Sequence, residues 1–462
     1  TKALEIKPEF PEAYNARGLA KKKLEDFRGA TSDFTKAIGI KADYVEAYVN
    51  RGITKKMDNN LEAIDDFTKA IEINPKYWDA YYNRGLAKAL LTRNYKDALL
   101  DFSKTIELNP DYDDAYYNRG LAETKIGSYS DAIFDFSKTI EINPKHAEAY
   151  VSRGVAKRLQ NDKEAINDYD KAIEIDPEYA DAYYKRAMAN IQLGNYNEAI
   201  EDFTKTIEIN PTHLEAYYNR GAANIEMQNY KAAIEDYTKA IEMKPDFVGA
   251  YINRGLAKVK LENDYKGAIL DYTKAAEIKP DYIEAYIKKG LAKVKMEDYK
   301  GAILDFSKTL EINPNYTKGY VNRGLAKVKM EDYKGAIIDY TNSIEINPND
   351  AEAYLNRGLA KEKLEDYRGA INDYNKSIEI NPGLVQAYAA RGFSKGQFKD
   401  YKGAIVDYNK AIELDPKYAE AYYKRGIINI ILEEKDKGCL DLSKAGELGY
   451  SIAYELIKEY CH

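Results

Sequence analysis

The chain has 462 residues, with 69 basic against 76 acidic side chains and a formal charge of −7, so the signs nearly cancel and nucleic acid is not expected as a partner. No apolar run approaches the roughly 18–20 residues that span a bilayer, because Lys or Glu interrupts every helical pattern, so membrane insertion is not expected either. Two cysteines and three histidines provide neither a disulfide framework nor zinc-ligand spacing, and no metal or cofactor is expected.

Residues 1–10 (TKALEIKPEF) read as the second-helix remnant of a preceding repeat, by comparison with NKSIEINPGL at 375–384, and point to an upstream stretch. Thirteen units follow over 11–450, their starts 33–35 residues apart at residues 11, 45, 78, 113, 147, 180, 214, 248, 283, 317, 351, 385 and 419. Residues 451–462 resemble the first half of one more unit and are expected to form a capping or docking helix. The periodicity fixes the architecture before any single residue does.

Within 351–384, Ala353, Tyr354, Gly358 and Leu359 recur at helical spacing, and so do Ala370, Ile371, Tyr374, Ser377 and Ile378. Two helices are therefore predicted, broken at Glu365-Asp366 and stopped at Asn381-Pro382. A hairpin this short lies below the roughly 40 residues that sustain an independent core, so each unit must bury its apolar face on its neighbours. Glycine stands at one place in twelve first helices, from Gly18 to Gly426, with Ala187 in the thirteenth. A mid-helix Gly costs about 1 kcal/mol relative to Ala, so its recurrence implies close approach of the second helix.

Tyr354, Gly358, Ala370, Tyr374, Ser377 and Pro382, repeated over essentially the whole chain, resemble the signature of the tetratricopeptide repeat. Two departures stand out: Tyr replaces the first aromatic Trp, and the residue before Gly is Arg in twelve units and Lys289 in one. The resemblance implies an all-α fold, a right-handed superhelical solenoid of antiparallel helix pairs whose first helices line a concave groove. It also implies a non-catalytic scaffold. The residues themselves offer no Ser-His-Asp or Cys-His arrangement and no phosphate loop.

Every unit carries Asp just before the second-helix aromatic, from Asp33 to Asp441, at constant separation from the Arg. A ladder of charge-assisted pairs between packed helices is expected, each worth little if exposed. His146 and His213 occupy one turn position two units apart and read as ordinary turn residues.

By the same resemblance, groove-facing positions lie just after the Tyr and just before the Arg. The first are Tyr82, Tyr117, Tyr184, Tyr218 and Tyr423, and the second include Asn50, Asn83, Asn118, Asn219, Asn253, Asn322 and Asn356, interrupted by Lys185, Lys288 and Lys424. An aromatic beside an amide suits an extended peptide, with a glycan the weaker alternative; a solvated motif spread by duplication remains open. Lys260, Lys295, Lys329 and Lys363, with companions at Lys258, Lys293, Lys327 and Lys361, form two thin stripes for an acidic partner or are a product of the same duplication. Units 180–247 carry Asn190, Gln192, Asn224 and Glu226 instead.

The alternative function is structural: head-to-tail self-assembly into a filament, with Ala3, Leu4, Ile6, Tyr454, Ile457 and Tyr460 as end-to-end contacts. Cys439 and Cys461 fall about eleven residues either side of Gly449-Tyr450, so a helix hairpin would let the sulfurs meet; a disulfide and two buried thiols are both open. A disulfide implies a secreted or cell-surface protein, free thiols a cytoplasmic one.

Overall fold

The computed structural model describes residues 4–5, 7–59 and 61–461. Among the described residues there are 27 helices and no strand, and the fold is an all-α solenoid of antiparallel helix pairs. It divides into two compact units, 1–229 and 230–462, within each of which consecutive hairpins pack in sequence order. The first unit runs from the helix Pro11–Lys23 to Leu214–Glu226, the second from Tyr230–Met243 to Ala453–Tyr460.

The break inside each hairpin has a physical cause that can be read at Glu365-Asp366. Glu365 adopts the left-handed conformation, φ 61°, which reverses the chain in one residue. Asp366 then caps the second helix, its Oδ1 accepting from the Gly369 N–H at 2.9 Å, an arrangement worth about 1 kcal/mol. Asp26, Asp264, Asp298, Asp332 and Asp400 do the same.

The recurrent glycine meets the recurrent aromatic, as its spacing implied. A Cβ on Gly52 would lie 2.6 Å from Cε1 of Phe67, and one on Gly324 would lie 2.8 Å from Cε1 of Tyr340. Phe67 and Tyr340 are almost wholly buried, and so are their counterparts Phe34, Phe102, Phe136 and Tyr374. Ala187 tolerates a real Cβ against Phe203 in the same cluster. Burying one such ring stabilises by about 1.5–3 kcal/mol, and each ring is shielded by its own hairpin and the next.

At the far end of the second unit, Ala453 is buried and Leu456 and Ile457 pack with Leu442 and Ala445. Cys439 and Cys461 are joined by a disulfide spanning 22 residues of sequence. The helix Ala453–Tyr460 is thereby pinned to Lys435–Glu447.

Candidate functional site

Among the described residues the Arg and Asp form the expected pair in eleven units, with Lys289 on Asp305 in a twelfth, and the carboxylate is buried in each rather than exposed. In 351–384, Arg357 donates through Nε to Asp373 Oδ2 at 3.0 Å and through Nη2 to Oδ1 at 2.7 Å. The Asp side chain is 5% exposed and the Arg 16%. Arg357 also lies 5.4 Å from the Tyr354 ring centroid, and its third nitrogen, Nη1, donates to Thr341 Oγ1 of the preceding repeat at 3.1 Å. The same bond joins Arg51 to Thr35, Arg84 to Thr68, Arg153 to Ser137 and Arg323 to Ser307. The Arg is therefore a staple across three helices of two repeats.

The companion lysines are not a free cationic stripe. Lys258, Lys293, Lys327 and Lys361 stand 2.7–2.8 Å from the carboxylates of Asp271, Asp305, Asp339 and Asp373, making each ladder rung a triad. Asn429 takes this place in the 419–450 unit, donating to Asp441 at 3.1 Å. Lys260, Lys295, Lys329 and Lys363 are all exposed.

At that place in the 113–146 unit stands Glu123, facing Asp135. Burial, then the charge of Asp135, push its carboxyl up to about 8, against the opposing pull of Arg119. Glu123 Oε2 is buried without a hydrogen-bond partner among the described residues.

Two tyrosine–asparagine pairs on the first helices join one repeat to the next. Asn118 Nδ2 donates to Tyr82 Oη at 3.1 Å and Asn219 Nδ2 to Tyr184 Oη at 3.0 Å; Tyr117 Oη lies 3.4 Å from Ser152 Oγ. Tyr82 packs edge-on against Tyr112, centroids 4.9 Å apart, and burial raises its hydroxyl pKa. Asn83 is buried, donating to Asp79 and accepting from Lys56 Nζ at 3.0 Å. Tyr218, Asn253, Asn322 and Asn356 are half-buried on the same face of their helices. His146 and His213 are helix caps, each Nδ1 accepting a backbone N–H, with rings 4.7 Å from Tyr117 and Tyr184.

Of the terminal candidates, Leu4 is buried and Ile457 is turned inward, whereas Tyr454 and Tyr460 are 51% and 42% exposed. Ala3 and Ile6 lie outside the described residues. One feature escaped the sequence reading: Leu270, Leu304 and Ile338 are exposed, one per second helix, immediately before the buried Asp. Their place beside the carboxylate that recurs in every unit marks them in the sequence. No group of three metal-ligating side chains occurs among the described residues, and none of their helices is long and apolar enough to cross a membrane.

This geometry defines a repeat protein of stacked helix hairpins, the class that acts as a protein-interaction scaffold. Sequence profiles described as tetratricopeptide repeat match residues 113–146, 180–213, 214–247 and 351–384, and residues 11–44 and 283–316. A further profile, described as TPR repeat, matches 157–194, 324–365 and 393–429. Together they cover more than half of the chain, which belongs to the tetratricopeptide repeat family. No curated protein matches it. Among solved structures, MamA is 32% identical over 36% of this chain and 96% of its own, with a TM-score of 0.34. YrrB, titled a TPR protein with an unusual peptide-binding site, is 26% identical over 42% of this chain and 98% of its own, TM-score 0.37. A chain of the APC/C hetero-tetramer Cut9-Hcn1 is 13% identical over 98% of this chain and 96% of its own, TM-score 0.41.

Proposed function

We propose that the protein is a non-catalytic scaffold that holds an extended peptide segment of a partner against the face formed by its first helices. The observation that carries this is the row of half-buried aromatic and amide side chains there, Tyr82 with Asn118 and Tyr184 with Asn219, bonded from one repeat to the next. Asn118 spends its amide hydrogens on Tyr82 and on the Asp114 carbonyl, which leaves its carbonyl oxygen to accept from a peptide N–H. Aromatic rings beside such an acceptor suit an extended backbone with apolar side chains. Within the second unit, Asn322 and Asn356 are half-buried and Lys260, Lys295, Lys329 and Lys363 exposed at the corresponding positions of its own first helices.

Selection from a random heptapeptide display library tests the reading. The native chain should enrich a peptide motif, and the variant with Tyr82, Asn83, Tyr117 and Asn118 changed to Ala should lose it while its helical circular dichroism persists. Enrichment of nothing by the native chain would overturn the proposal.

A second reading, self-association, is favoured by the exposure of Ile452, Tyr454 and Tyr460 on and beside the terminal helix. Its partner would be a second copy of the chain. Electron microscopy at high concentration should then show filaments that Tyr454→Lys with Tyr460→Lys disperses; monodisperse particles from the native chain would remove it.

A further inference from the structure

Three consecutive second helices of the second unit, Tyr265–Ile278, Tyr299–Ile312 and Tyr333–Ile346, each turn one aliphatic side chain to solvent. Leu270 is 72% exposed, Leu304 71% and Ile338 61%. The fold does not require them. In the repeats before and after, the helices Tyr230–Met243 and Tyr367–Ile380 carry exposed Glu235 and Asn372 at the same place, and beyond Asn372 the aliphatic returns at Val406 and Leu440. Exposed aliphatics scattered singly are ordinary, but side chains in one register on successive repeats form a patch, and patches of that kind mark surfaces that bind.

The charges around the row leave one sign uncompensated. One helical turn before each aliphatic, on the same face, stand Lys266, Lys300 and Lys334, all exposed and without an ion pair among the described residues. One turn after it, Lys274 and Lys308 are already neutralised along their own helices, by Glu277 at 3.1 Å and Glu311 at 2.8 Å. The carboxylates next to the aliphatics, Asp271, Asp305 and Asp339, are buried against their own cations. Asp264, Asp298 and Asp332 cap these helices, each accepting a glycine N–H, and Glu297 and Glu331 belong to the turns outside them.

Aliphatic side chains that stand this far out of a helix offer a partner no socket; what binds them has to receive them. A lipid leaflet does so without matching a shape, because the side chain sinks into the boundary between headgroups and acyl chains while a neighbouring lysine keeps its ammonium among the headgroups. We propose that this face of the second unit docks on an anionic lipid surface, with Leu270, Leu304 and Ile338 entering the leaflet and Lys266, Lys300 and Lys334 meeting the lipid phosphates and carboxylates. The docking is peripheral, in keeping with the absence of a membrane-crossing helix among the described residues. The lysine contribution decays within a Debye length, so added salt weakens it. The face belongs to the second helices, so this inference is independent of the peptide-holding first helices.

Flotation of the full chain with vesicles tests it. Vesicles of phosphatidylcholine and phosphatidylserine, three to one, should carry the native chain, and vesicles of phosphatidylcholine alone should not. Leu270, Leu304 and Ile338 changed together to Asn, the residue already present at Asn372, should lower the affinity for the mixed vesicles at least about tenfold. Lys266, Lys300 and Lys334 changed together to Gln should also lower it at least about tenfold at low salt. Circular dichroism checks that both variants stay helical. A native chain that floats with neither vesicle, or variants that float as it does, overturns the proposal. Absence of flotation together with a light-scattering mass of two chains, which the Asn variant reduces to one, gives the row to a second copy of the chain instead.

Discussion

Arg357 and Asp373, sixteen residues apart, are joined by two parallel hydrogen bonds of 3.0 and 2.7 Å in a nearly dry site, and the third arm of the guanidinium reaches Thr341 in the preceding repeat. Lys289 is the only first-helix residue of its kind that is not Arg; it reaches Asp305 through one contact of 2.8 Å. A lysine cannot make the planar fork. Lys289→Arg is therefore expected to stabilise the helices Ile283–Lys295 and Tyr299–Ile312 by about 1 kcal/mol, read as slower amide hydrogen exchange there. Asp373→Ala, which strands two cations, should cost about 3 kcal/mol. Equal exchange in Lys289→Arg and the native chain would refute the staple.

The carboxyl pair in the 113–146 unit predicts a pH dependence of known sign. Glu123, with Asp135, Asp131 and Arg119 around it, has its folded pKa raised from an ordinary 4.5 to about 8. Below the unfolded value it is protonated in both states and its contribution is intact. As pH rises through the window up to about 8, the unfolded chain has released a proton that the folded chain still holds, so stability falls. Glu123→Lys restores the triad found at Lys157 and Asp168. It should flatten the profile and raise stability at pH 8.5 by roughly 1–2 kcal/mol, after discounting for solvent screening. Thermal unfolding at pH 5.5 and 8.5 checks this; a native chain more stable at the higher pH in this segment would contradict it.

Substitutions at the recurrent small residue should be asymmetric. Gly52→Val drives a branched side chain into Phe67, whose Cε1 is 2.6 Å from the position of a Cβ, and should cost about 2–3 kcal/mol by overpacking. Ala187→Gly relaxes a contact already accommodated and should cost about 1 kcal/mol through helix propensity alone. Urea unfolding of the two variants gives the comparison, and a smaller loss in Gly52→Val would show that the rings are freer than their burial implies.

The Cys439–Cys461 bridge closes a loop around the turn at Gly449. A crosslink over such a loop is worth about 3 kcal/mol. Reduction, or Cys461→Ser, should therefore speed hydrogen exchange and proteolysis in the helix Ala453–Tyr460 and leave the units before residue 419 unchanged. Protection of that helix without the bridge would mean that Leu456 and Ile457 suffice to hold it.

The repeat length, the helix pairs, the Glu365-Asp366 break, the glycine against the aromatic and the Arg with its Asp were all legible in the amino-acid order. Each of them is a relation inside one unit, and thirteen copies at constant spacing reveal such relations by repetition. What the tertiary structure alone decided lies between units or in single departures. Arg357 to Thr341, and Asn118 to Tyr82, join residues of adjacent repeats; every copy keeps the same register, so periodicity cannot tell a contact within a repeat from one with the next. The recurrence of Lys361 and Lys363 in successive units reads in the sequence as a pair of surface stripes, yet packing against the second helix sets Lys361 on Asp373 at 2.8 Å. Glu123 occurs once and carries no periodic signal. The meaning of Glu123, a carboxyl whose pKa burial and a second carboxylate raise, exists only where the neighbouring helix places Asp135 opposite it.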